Sequence, residues 1–353
     1  MDAEQRLIGR DARFIAHQCI NLSDLKLRSC YLIPASLDIL FDGILKVKRL
    51  TLELCRGVNS SIAPRLARLP ALHDLDITVH TQERGNGDWR EDDMVLLLTR
   101  CRRLLSLKIF GPDLSHIHLL GLKRQSVSLG LVNLELVWTF ISENALTVLL
   151  RKSPSLSSLI LLHNASKNST VQAIAQSSPR LQALGLRNST SISTAAFDSL
   201  FKNHPTLIQL DLSRTLIHDA AVVMLAHSCC QLQDLNLSGC SRVTTAAFLK
   251  MVSMLGRLRT LRVSGCTKLK REAFVGLPPW ASRDTLQELE MASVGIRAET
   301  EALDGVVHLL SSLKRLRQLC LDTAVSQHVA VFAFLKSSPE VCVARVDPVP
   351  NRC

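Results

Sequence analysis

One spacing of apolar residues recurs from near the start of this chain to its end: apolar, two residues, apolar, one residue, apolar, two residues, then Cys, Thr or Asn. Its first position is held by Leu22, Val47, Leu72, Leu104, Leu131, Leu156, Leu181, Leu207, Leu232, Leu258, Leu286, Leu316 and Val341, at intervals of 25, 25, 32, 27, 25, 25, 26, 25, 26, 28, 30 and 25 residues. A unit this short cannot bury an apolar face alone, so each copy must stack on its neighbours. That requirement permits 353 residues to share one continuous core, where a single globular core would stop growing.

Each copy carries the same local grammar. In the stretch beginning at Leu207, the alternation of Leu210 and Leu212 predicts a short strand with one face turned inward. Ile217 follows, and Asp219 stands where a helix would begin, its carboxylate placed to accept from unpaired first-turn amides. Ala221, Met224 and Leu225 then form the apolar stripe of a helix. Ile192 with Thr194, and Val243 with Thr245, repeat this arrangement in neighbouring copies.

The copy Leu232-Gln-Asp-Leu235-Asn-Leu237-Ser-Gly-Cys240-Ser-Arg-Val243-Thr-Thr245, introduced by Cys229, resembles the cysteine-containing leucine-rich repeat of F-box substrate receptors and ribonuclease-inhibitor-like proteins. The resemblance extends over about residues 15–346. It implies an α/β fold, a leucine-rich-repeat solenoid or horseshoe, with a parallel strand ladder on the concave face and helices on the convex face. The expected organisation is an N-terminal capping helix within 1–21, twelve repeats over 22–340, and a terminal strand and tail over 341–353. Residues 6–19 read as the helix of a unit whose own strand is missing, with Arg6, Arg10, Arg13 and Gln18 on its exposed side. Pro348 and Pro350 withhold backbone donors at the last edge. A polar insert at 82–93 reads as a rim loop in which Trp89 either anchors a partner or packs back on the array. Only about twenty residues precede Leu22, too few for the F-box module, so the array is expected without one.

The eleven cysteines fall into columns. Cys30, Cys55, Cys240 and Cys266 hold the ninth position of their copies, where a small buried side chain can satisfy the turning backbone. Cys19, Cys101 and Cys229 lie three residues before the first apolar position. An odd count, with no secretory signal in the charged first twenty residues, predicts reduced thiols and a cytoplasmic or nuclear location. No apolar run is long enough to cross a membrane.

Chemistry is sparse. His116-x-His118, and His227 beside Cys229–Cys230, lack metal-ligand spacing, and there is no phosphate loop or nucleophile elbow. No enzyme, cofactor, metal or small-molecule substrate is expected. The outward strand positions supply the candidate site instead. In copies four to six they turn apolar: Phe110, Val137, Trp138, Ile160 and Leu162, with His163 beside them and Lys108, Glu135 and Arg187 as a polar rim. Such a cluster could present several hundred Å² of apolar surface, the scale at which an exposed patch marks a contact site. The chain could equally cover it with its own 82–93 loop.

The expectation is therefore a scaffold or recognition subunit that holds a protein partner on the concave face. Two alternatives stand beside it: the substrate-recognition part of a ubiquitin ligase with the F-box elsewhere, and a structural subunit of a ribonucleoprotein. The net charge of +11 permits the latter, with Lys26, Arg28, Arg187, Arg214 and Arg262 available for phosphates. Asp24, Asp74, Asp76, Asp211 and Asp234 interrupt that path.

Overall fold

The computed structural model describes residues 6–7, 9–79, 89–162, 166–274, 279–294 and 300–346. The chain forms two compact units, the first from residues 1–164 with 176–180, the second from 165–175 with 181–353.

In the first unit the strands are β1 (Arg6–Leu7), β2 (Asp24–Arg28), β3 (Tyr31–Leu32), β4 (Arg49–Cys55), β5 (Asp74–Val79), β6 (Ser106–Phe110), β7 (Asn133–Val137) and β8 (Ser158–Leu162). All but β1 and β3 form a parallel ladder in chain order. In the second unit β9 (Ala183–Gly185), β10 (Gln209–Asp211), β11 (Asp234–Asn236), β12 (Thr260–Arg262), β13 (Glu288–Glu290), β14 (Gln318–Asp322) and β15 (Cys342–Val346) do the same. Each unit thus has the leucine-rich-repeat solenoid architecture, a parallel ladder whose strands alternate with helices. The leucine columns are its core: Leu50, Leu75, Leu107, Leu134 and Leu159 lie in register across β4–β8, and all are buried. Leu210, Leu235, Leu261 and Leu289 do so across β10–β13.

Several local expectations change. Arg6 and Leu7 are not helical. They pair in parallel with Tyr31 and Leu32, and the first helix runs only over Gly9–Gln18. Arg10, Arg13 and Gln18 are exposed on it, but so is Phe14. Trp89 is 1% exposed, so it packs inward rather than anchoring a partner, and a helix begins at Glu91. Residues 82–88, His163, and the tail with Pro348 and Pro350 lie outside the described residues.

Asp219 does not cap its own helix. That helix, Asp219–Ser228, is preceded by His218 and has no side-chain cap. The Asp219 carboxylate instead accepts from the backbone N–H of Thr244 at 2.9 Å and from its hydroxyl at 2.7 Å, one repeat onward. Other residues at helix starts make the same link. Asn168 accepts from the Ser193 amide, Thr245 from that of Lys270, and Glu91 from those of His118 and Leu120. These residues occupy the first helical position rather than the cap, so their side chains are not placed to accept from their own first-turn amides and bond the next repeat instead. The helix Glu143–Lys152 is capped in the ordinary way, with Ser142 accepting from Ala145 at 3.1 Å.

The cysteine column is bonded as its position implies. The thiols of Cys55, Cys240 and Cys266 donate to the carbonyls of Leu27, Leu212 and Leu237, each in the preceding repeat, at 3.4, 3.1 and 3.0 Å. Cys30, in the same column, is only half-buried and donates to its own neighbour Arg28. All ten described cysteines are free thiols. Burial pushes Cys55 and Cys101 up to about 11, and Cys229 and Cys266 up to about 12. Among the described residues no helix is long and apolar enough to cross a membrane.

Candidate functional site

Register turns the outward strand positions of the first unit into rows. One row runs Asp24, Arg49, Asp74, Ser106, Asn133, Ser158. The next runs Lys26, Thr51, Asp76, Lys108, Glu135, Ile160, and the third Arg28, Glu53, Thr78, Phe110, Val137, Leu162. The face is therefore ionic on β2–β5, while on β6–β8 its third row and Ile160 turn apolar beside the polar Lys108 and Glu135. Most of its charges are neutralised within it. Arg49 pairs with Asp24, and Lys26 meets Glu53 at 2.5 Å. Arg28 also reaches Glu53, and Lys108 faces Glu135 at 3.4 Å.

Two carboxylates are left over. Among the described residues neither Asp74 nor Asp76 has an ion-pair partner. Asp76 is half-buried, and its Oδ1 is enclosed without a hydrogen bond. Burial pushes its carboxyl above the usual range; nearby Lys108 opposes that, while Glu135 and Glu53 reinforce it. Both aspartates line a groove of about 400 Å³ that crosses β4–β8 and includes Arg49, Lys108, Glu135 and Ile160.

The apolar end of the face has an unusual backbone. Among the described residues the eighth position of nine copies has a positive φ: Ser29, Leu54, Gly111, Trp138, Asn188, Arg214, Gly239, Gly265 and Ser293. The strand ends there and the chain must turn sharply, so glycine or asparagine suits the position. Trp138 occupies it at φ 56°, and two residues on Phe140 does likewise at φ 45°. Between them Thr139 is fully buried, which sends the two aromatic side chains outward. Trp138 is 39% exposed and Phe140 49%, their rings edge to face at 6.5 Å. The Trp138 amide donates to the Leu162 carbonyl at 3.0 Å, fixing the turn against the following strand.

Of the residues expected from sequence, Phe110, Ile160 and Leu162 are half-buried on this face, Trp138 is exposed, and Lys108 and Glu135 flank them. Val137 is corrected: at 6% exposure, between the longer Phe110 and Leu162 in its row, it belongs to the core. Arg187 belongs to the second unit. Phe140 and Asp76 went unselected. Phe140 lies past the repeat motif, where no periodicity points to it, and Asp76 reads in sequence like any other charged strand residue.

No group of three or more His, Cys, Asp or Glu that could hold a metal exists among the described residues.

No family model matches the chain, and no curated protein matches it. Solved structures do. A chain of the Rad7–Elc1 complex from yeast is 16% identical, covering 88% of this chain and 79% of that one at a TM-score of 0.51. The internalin InlF from Listeria monocytogenes str. 4b F2365 is 15% identical, covering 85% and 80% at a TM-score of 0.48. The strand ladder of the units and the likeness to the yeast chain agree on the leucine-rich-repeat fold.

Proposed function

We propose that this chain is a non-enzymatic recognition subunit that holds a protein partner on the outward strand face of its first unit, with Trp138 as the anchor. One observation carries the reading. A bulky aromatic stands in a left-handed turn that glycine fills at Gly239 and Gly265, and much of its side chain faces solvent. A left-handed conformation costs an ordinary residue about 1–2 kcal/mol. Strain of this kind concentrates at binding sites, and Trp is the residue most often found as an interface anchor. The fold agrees with this role: the yeast chain it resembles is known in complex with a protein.

The test follows from the strain. Trp138→Gly relieves the turn and removes the anchor, so the variant should melt within a few degrees of wild type while losing the partner. Proteins retained by the tagged wild-type chain under nuclease, and lost by both Trp138→Gly and Leu162→Glu, support the reading. Retention unchanged by both variants rejects it. Binding that disappears with nuclease alone transfers the function to a ribonucleoprotein.

A further inference from the structure

The groove beside the aromatic patch carries information about what the patch holds. Although the chain as a whole bears a net charge of +11, the groove is acidic. Its lining holds Asp74, Asp76 and Glu135 against Arg49 and Lys108. Arg49 pairs directly with Asp24 and Lys108 with Glu135, so the two aspartates, although near those cations, make no ion pair of their own and are the carboxylates open to an incoming cation. Asp76 is half-buried and its enclosed Oδ1 accepts no hydrogen bond within the chain, so its carboxylate is left poorly satisfied and a cation at its exposed part would stabilise it. With acidic groups outnumbering basic ones in its lining, the groove offers phosphates no net attraction, which favours a protein over a nucleic acid here.

The backbone narrows the occupant further. β5, β6 and β7 are each paired on both sides, so their amides and carbonyls are committed to the ladder. An extended peptide laid across them would gain no strand-addition bonds and would bury its own polar backbone unpaired. A helix brings those bonds with it, and its diameter of about 10–12 Å suits a groove across five strands spaced about 4.8 Å apart. From Asp76 to Trp138 is two strands across and three residues along, about 14 Å at those spacings. On one face of a helix that separates residues by about two to three turns.

Resting on the reading of the patch as a partner site, we infer that the occupant is an amphipathic helix of a protein partner. It sets a Lys or Arg against Asp74 and Asp76, and a large apolar side chain two to three turns away against Trp138, Phe140 and Leu162. The recognition is a charge-assisted hydrogen bond in a half-buried groove, next to an aromatic anchor.

The probe is a phage-displayed library of alanine-based eighteen-residue helices randomised on one face, selected on the full-length chain. Enriched helices should carry Lys or Arg two to three turns from Leu, Ile, Met or Phe. Their affinity should fall at least tenfold on Trp138→Gly, and about tenfold on Asp74→Asn with Asp76→Asn. An Asp76→Lys chain should prefer the same helices with their cationic residue changed to Glu. Helices lost on Trp138→Gly yet indifferent to the aspartate variants overturn this inference and leave the partner site standing. Helices indifferent to both overturn the two together. Enrichment of acidic helices, or recovery of none above background, overturns the inference. So does a concentration-dependent dimer of the chain that Trp138→Gly abolishes, since the patch would then belong to a second copy.

Discussion

The two units are built from one motif, yet their strand faces are finished differently. In the second unit several outward charges pair with one another, although Arg187 Nε and Ser213 Oγ are enclosed without a hydrogen bond. Arg262 reaches Glu288 at 2.6 Å and Glu290 at 3.0 Å, Gln209 donates to Asp234 at 3.0 Å, and the left-handed turn is filled by Gly239 and Gly265 but also by Asn188, Arg214 and Ser293, none of them aromatic. In the first unit the same positions hold an aspartate with an unpartnered oxygen, Leu54 and Trp138 in left-handed turns, and exposed aromatics. A repeat motif dictates the inward leucines and is indifferent to the outward residues. What separates the two faces is therefore the pair of exposed aromatics at Trp138 and Phe140 beside an unpaired aspartate, and the proposed partner site rests on that combination.

The comparison can be broken first at its common ground. Leu136→Ala in the first unit and Leu237→Ala in the second should each destabilise by about 2–5 kcal/mol, measured by urea denaturation. A large inequality would mean that the cores differ too. Next, Trp138→Gly should weaken partner binding by about 2 kcal/mol or more in a calorimetric titration, whereas Arg214→Gly, at the equivalent turn of the second unit, should leave it unchanged. Equal losses would erase the distinction between the faces. Third, Arg262→Ala strands two glutamates and should cost roughly 1 kcal/mol of stability, less at high salt, without touching binding.

The smallest effects concern pH, and here the units should respond with opposite sign. Burial raises the Asp76 carboxyl, so its contribution to stability is full below the unfolded pKa and is lost as pH rises through the folded value. Asp76→Asn should therefore hold or raise the melting temperature at pH 7, with the gain shrinking toward pH 4. Asp284 is lowered, chiefly by its hydrogen bond from Lys314, so its contribution is present above the unfolded pKa and fades as pH falls through the folded one. Asp284→Asn should lower the melting temperature at pH 7 and matter less in acid.

Much of the architecture was legible from spacing alone, because the leucine columns and strand registers follow from burial every twenty-five or so residues. The cysteine-to-carbonyl bonds were legible for the same reason. Asp219 does not cap because the helix boundary falls one residue earlier than the spacing implies: His218 holds the cap position and Asp219 the first helical one. Val137 was misplaced because exposure at an outward position depends on the size of its row neighbours. The left-handed eighth residue was written in Gly239, Gly265 and Asn188, but its meaning for Trp138 emerges only when the copies are aligned by backbone conformation.

The buried thiols have one more consequence. Cys55 and Cys101 in the first unit, and Cys229, Cys240 and Cys266 in the second, sit at known places in successive repeats and are held protonated by burial. Each can react with an alkylating reagent only after its own repeat has opened. Read by mass spectrometry against time, the labelling of these native residues would give a set of clocks along the chain. They would time which repeats open first, and whether a bound partner slows those of one unit alone.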